Sequence, residues 1–136
     1  MKMICITCST EIISYLSQKR KYCSVKCQNE QQYKDYIAKW LSGEVTGMRG
    51  KTSTSAHIRK YIFEKYDSKC CECGWSKINP FSQTLPLELE HIDGNFMNNK
   101  EENLKLLCPS CHSLTETYKG ANKKIGRPRA KYYRGT

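Results

Sequence analysis

Eight of the nine cysteines fall into four close pairs: Cys5/Cys8, Cys23/Cys27, Cys70/Cys73 and Cys108/Cys111. Two close pairs joined by a loop can converge as four thiolates around one tetrahedral zinc. The first two pairs are fourteen residues apart, and the last two bracket a longer segment. Both are therefore expected to be structural four-cysteine zinc sites, because four thiolates leave the ion no open position for a substrate. Cys71 is left over, as either a regulatory thiol or a bystander.

The composition explains why such staples are needed. Of 136 residues, 38% are hydrophobic, and the mean hydropathy is −0.71. So few apolar residues build only a thin core. The start MKMICITCST shows no sustained apolar run and no stretch is suited to span a bilayer, so the expected setting is a reducing cytoplasm. Paired cysteines there bind metal more often than they form disulfides. Lys plus Arg outnumber Asp plus Glu by 23 to 13, a formal charge of +10. That excess points to a polyanion, with nucleic acid favoured over a membrane; basic charge kept only for solubility is the plainer alternative.

The expected domains are a zinc module at 1–41, a linker at 42–54, a second zinc-braced domain at 55–122 and a basic tail at 123–136. In the first, Ser24 is placed to cap a helix carrying Val25, Tyr33, Tyr36, Ile37, Trp40 and Leu41 near one face. The linker, SGEVTGMRGKTST, is rich in glycine and hydroxyl residues and reads as flexible. A second helix is expected over Ser55–Tyr66, with Ile58, Tyr61, Ile62 and Tyr66 inward and His57 on the surface.

After the CCECGW knuckle and a loop over 76–86, Leu85, Leu87 and Leu89 alternate with polar residues as a strand. DGN at 93–95 marks a turn, Asn98 and Asn99 extend the loop, and Leu104, Leu106 and Leu107 return as a second strand. A short helix over His112–Tyr118 would follow. Glu90 and His91 are neighbours, so a strand points them to opposite faces. The carboxylate can then hold a divalent ion while the imidazole acts separately as a base. Glu88, Glu90, Asp93, Glu101 and Glu102 crowd five acids into a basic chain. A bound cation would account for such crowding; Glu101 and Glu102 read as ordinary surface acids.

Glu90-His91, Asn103 and His112, framed by Cys70/Cys73 and Cys108/Cys111, resemble the HNH endonucleases. The strings LELEHIDGN and NLKLLCPSCHSLT, followed by Tyr118 and Asn122, carry the likeness over about 56–124. The resemblance implies a small α+β, zinc-stabilised chain: a ββα-metal (HNH) nuclease core preceded by the zinc-knuckle and helix module. It implies His91 as general base, with Glu90 and His112 as ligands of a catalytic Mg²⁺ or Mn²⁺. It implies Asn103 as the residue that fastens the hairpin loop. Many members carry Asp before the first His, where this chain has Glu90.

The implied activity is metal-dependent hydrolysis of phosphodiesters in double-stranded DNA, by nicking or double-strand cutting, with a phage homing endonuclease as one setting. A dimer on DNA is one assembly that would cut both strands. The alternative is a non-catalytic, zinc-dependent DNA-binding or regulatory protein. In the tail, Gly126-Arg127-Pro128-Arg129, flanked by Lys123, Lys124 and Lys131, resembles an AT-hook for the minor groove, with Ile125 where arginine is usual; a generic basic tail is the equal alternative.

Overall fold

The computed structural model describes residues 2–13 and 19–118. The chain divides into two compact units, one ending at Ser42 and the other starting at Gly43. Among the described residues the fold is small α+β, with three separate two-stranded antiparallel sheets.

In the first unit, β1 (Lys2–Ile4) pairs with β2 (Glu11–Ile13) in a register that sets Met3 against Ile12. The turn between them is the first cysteine knuckle. The Cys5 N–H donates to Thr10 O at 2.9 Å and the Ser9 N–H to Cys5 O at 2.9 Å. Helix α1 (Val25–Leu41) starts as expected at Ser24, whose hydroxyl accepts from the Cys27 N–H at 3.2 Å. Cys5, Ile12 and Cys27 form a small buried cluster, with Met3 and Tyr22 packed against it. Ile37 and Trp40 are buried as expected of the helix's inward face, but Val25 and Leu41 are exposed.

In the second unit, residues expected in a flexible linker form a ribbon of β3 (Met48–Arg49) and β4 (Ser53–Thr54). Met48 sits opposite Thr54. The ribbon leads into α2 (Ala56–Lys65), capped by Ser55. Ile58 and Ile62 are fully buried on the inward face of α2, while His57 is half-buried rather than on the surface. The second knuckle, Cys70–Gly74, repeats the first: Cys70 N–H to Trp75 O at 3.0 Å and Gly74 N–H to Cys70 O at 2.9 Å. The Cys71 N–H joins the knuckle to the main hairpin by donating to Leu106 O at 2.9 Å.

That hairpin is β5 (Glu88–His91) and β6 (Leu104–Leu107), pairing Glu88 with Leu107 and His91 with Leu104. β5 starts three residues later than the leucine alternation suggests. The Leu87 N–H closes back on Leu85 O at 2.8 Å, so the chain around Pro86 is a tight turn. Leu87, Leu104, Leu106 and Leu107 complete the core, with α2 against β6.

The last helix also departs from expectation: α3 spans Pro109–Ser113, not His112–Tyr118. Two residues move its start forward. The Cys108 sulfur takes the cap position and accepts from the Cys111 N–H at 3.4 Å, and Pro109 fits the first helical position, where no N–H is required. Single turns then carry the chain to Tyr118.

Candidate metal and catalytic site

Both cysteine sets converge. The sulfurs of Cys5, Cys8, Cys23 and Cys27 lie within 4.8 Å of one another, as do those of Cys70, Cys73, Cys108 and Cys111. Individual separations are 3.5 Å for Cys8–Cys23, 3.5 Å for Cys23–Cys27 and 3.7 Å for Cys73–Cys108. A tetrahedron with Zn–S bonds near 2.3 Å has edges of about 3.8 Å, so the spacing and the thiol set both fit zinc.

The thiols are not equivalent. Burial pushes Cys5 and Cys70 up, but backbone N–H groups aimed at each sulfur outweigh it and bring both down to about 6. Cys23 is pushed up to about 12, chiefly by its hydrogen bond with Cys27, and Cys111 is raised chiefly by Cys108. Burial raises Cys71, which keeps its proton and is no activated thiol.

Above the second cluster, β5 and α3 bring Glu90 and His112 together. Glu90 is 6% exposed. Its Oε1 accepts from the Thr117 hydroxyl at 2.8 Å, and its Oε2 lies 2.7 Å from His112 Nδ1. That last contact has the length of an ion pair but not the direction of a hydrogen bond: His112 Nδ1 is buried with no hydrogen-bond partner. A buried, unbonded ring nitrogen facing a carboxylate oxygen is a donor pair that a divalent cation would satisfy. The longer Glu90 side chain thus reaches the His112 ring.

Glu88, two residues earlier on the same face, places Oε2 3.0 Å from His112 Nε2. The ring of His112 thus lies between two carboxylates, with Tyr118 edge-on at 5.3 Å. Glu90 also borders a cleft of about 500 Å³ lined by Glu72, Lys105, Cys111, Thr115 and Thr117.

His91 is placed apart from this pair. Its Nε2 lies 2.7 Å from Asn99 Oδ1, and no hydrogen bond or ring contact joins it to His112 among the described residues. Its Nδ1 makes no hydrogen bond among them either. Asn103, 8% exposed, ties the hairpin loop. Its Oδ1 accepts from the Asp93 N–H at 3.1 Å, and its Nδ2 donates to Asp93 Oδ1 at 2.9 Å and Asn98 O at 2.8 Å.

Burial pushes the Asp93 carboxyl up, but Asn98, the Asn95 N–H, Asn103 and His91 together hold it below the usual range. The stabilisation from such a depressed group is complete above the unfolded pKa of about 3.9. It is lost only as pH falls through the folded value, so the loop is fully tied at neutral pH.

Glu101 serves the scaffold: it accepts from the Tyr61 hydroxyl at 2.7 Å and pairs with Lys65 at 3.4 Å. Sequence reasoning gave no role to Asn99 and none to Thr117. It counted Glu88 only as one acid of the crowd, although its spacing from Glu90 already put both on one strand face. The basic-tail residues Lys123, Lys124, Arg127, Arg129 and Lys131, with Asn122, lie outside the described residues. No described helix is long and apolar enough to cross a membrane.

No protein-family profile matches the chain, and no solved structure matches it. A 59-residue stretch, 43% of this chain, is 52% identical to the H-N-H endonuclease F-TflIV of Escherichia phage T5. The stretch covers 24% of that relative, so the chain spans about a quarter of its length. The likeness to HNH endonucleases carried by Glu90-His91, Asn103 and His112 thus has a phage relative beside it, together with two four-cysteine groups that fit zinc knuckles.

Proposed function

We propose that the second unit is a ββα-metal nuclease of the HNH type that hydrolyses phosphodiester bonds in double-stranded DNA. The observation that carries the reading is the Glu90–His112 pair, with its buried and unbonded Nδ1, directly beside His91 in the chain. In this reading Glu90 and His112 hold Mg²⁺ or Mn²⁺. The bound cation would supply Lewis-acid stabilisation of charge on the phosphate and leaving oxygen.

The chain's own groups do the rest. His91 takes a proton from water, a contribution of roughly 10²–10⁴ in rate for a placed base. The water oxygen bonds to phosphorus as the bond to the 3′ oxygen breaks, and that oxygen takes a proton from solvent, leaving 5′-phosphate and 3′-hydroxyl ends. Glu88 favours a proton on His112 Nε2 and so keeps Nδ1 free as a ligand. Asn103 holds the loop, and the two four-cysteine zinc sites hold the units. The net charge of +10 supplies non-specific attraction to DNA.

Supercoiled plasmid incubated with the protein and Mg²⁺ or Mn²⁺ should be nicked or cut. His91→Ala should bind the plasmid and leave it intact. Activity in His91→Ala equal to the parent's would remove His91 from the role of base. A homing role requires a long recognition site, which sequencing of the cut ends would reveal. Two chains on one duplex would convert nicks to double-strand breaks with a second-order dependence on protein.

A further inference from the structure

We propose that Asn99 is a positioning residue that fixes the tautomer of His91, accepting a hydrogen bond from its Nε2–H and leaving Nδ1 as the basic nitrogen. The catalytic meaning rests on the nuclease reading; the tautomer does not.

Asn99 is 2% exposed, and its carboxamide is held at both ends by polar contacts. Oδ1 lies 2.7 Å from His91 Nε2 and accepts from the Thr54 hydroxyl at 3.1 Å, while Nδ2 donates to Met48 Sδ at 3.1 Å. The two ends of a carboxamide are told apart by the partners they meet. Turned over, the amide would set a carbonyl oxygen against a thioether, which has no proton to give. The buried contact to Met48 Sδ would then be lost. In the orientation that satisfies these contacts, the group facing His91 is an acceptor. A neutral imidazole must then carry its proton on Nε2. The other nitrogen, Nδ1, has no hydrogen bond among the described residues and keeps its lone pair for a water.

The clamp is rigid for a further reason. Met48 and Thr54 are directly opposed on the β3–β4 ribbon, so one rung holds both ends of the carboxamide. The ribbon is closed by the Ser55 N–H donating to Gly47 O at 2.8 Å, one residue before α2. Residues that read as a linker therefore reach the base through a single side chain.

The test uses the full chain as purified, labelled with ¹⁵N at histidine, at pH 8, where an ordinary imidazole is neutral. Long-range ¹H–¹⁵N spectra, assigned with His91→Gln, report which nitrogen of His91 is protonated. The parent should show Nε2–H. Asn99→Asp, which keeps an acceptor oxygen, should show the same. Asn99→Leu should show a substantial Nδ1–H population, unchanged plasmid affinity and cleavage slower by about 10–100-fold, the range for lost support of a site residue. Cleavage should return to within about fivefold of the parent in Asn99→Asp.

If Asn99→Leu does not melt cooperatively, Thr54→Val combined with Met48→Leu loosens the clamp while keeping Asn99, and should also raise the Nδ1–H population. Nδ1–H in the parent would overturn the proposal. So would a parent-like spectrum and rate in a folded Asn99→Leu, or in the double variant where Asn99→Leu does not fold. A parent with an Asn99-dependent Nε2–H but no cleavage with any divalent ion would uphold the positioning and sink the nuclease reading alone.

Discussion

The two knuckles, Cys5–Ser9 and Cys70–Gly74, turn the same corner with the same pair of backbone hydrogen bonds, yet they rest on very different supports. In the first unit the buried cluster is Cys5, Ile12 and Cys27, so two of its three members are metal-site thiols. In the second, Ile58, Ile62, Leu87, Leu104, Leu106 and Leu107 are all at most 1% exposed before any sulfur is counted. Among the described residues, candidate metal-site thiols are thus two of the five buried side chains in one unit, beside Ile12, Ile37 and Trp40, and the closing piece of a larger apolar interior in the other. Zinc in small modules contributes on the order of 10 kcal/mol to folding, more than a thin core can replace.

The largest effect that could break this contrast is metal removal. The chain has two tryptophans, Trp40 on α1 and Trp75 beside the second knuckle, so Trp75→Phe and Trp40→Phe give one reporter per unit. Chelation should abolish the cooperative melt reported by Trp40. The Trp75 melt should also be lost, leaving a collapsed apolar remnant that binds a hydrophobic dye. Cys70→Ser should do the same to the second unit. An α1 melt that survives chelation would end the claim that sulfur and metal carry the first unit.

A smaller effect compares the corners themselves. Ser9 and Gly74 follow the second cysteine of each knuckle with φ of +62° and +76°. Only glycine adopts that region without cost. A Cβ at Gly74 would meet nothing within 4 Å, so Gly74→Ala should cost only the conformational penalty, about 1–2 kcal/mol. Ser9→Gly should stabilise the first unit by a few tenths to about 1 kcal/mol, read as a rise in chelator concentration at half-unfolding. A loss of stability in Ser9→Gly would show that the serine side chain contributes more than its backbone strain.

The smallest effect is local to the second unit, which alone of the two carries the loop tied by Asn103. Asp93→Ala removes the acceptor shared by Asn95, Asn98 and Asn103. It should speed hydrogen exchange at the Asp93 N–H about tenfold and leave the melts of both knuckles in place. Unchanged exchange there would mean that Asn103 holds the loop without Asp93.

Features set by nearby residues could be read from the chain. The cysteine spacing announced both sulfur clusters, Ser24 and Ser55 announced two helix starts, and alternation put Glu88 and Glu90 on one strand face. What could not be read depends on pairings far apart in sequence. Met48 and Thr54 stand 51 and 45 residues from the Asn99 they hold. Their strands are two residues long, too short for any period to show, and their glycines and hydroxyls mimic a flexible connection. The start of α3 is hidden differently: a cysteine in a metal-spaced pair carries no sign in the sequence that its sulfur also caps a helix.

That double use of Cys108 has a further effect. One sulfur both joins the thiol cluster and begins the short helix that presents His112. If the four thiols take zinc, the ion would fix that sulfur in place, and a chain without it would hold the helix by the single cap hydrogen bond alone. Under the nuclease reading, such a chain would present His112 less firmly until the ion is bound.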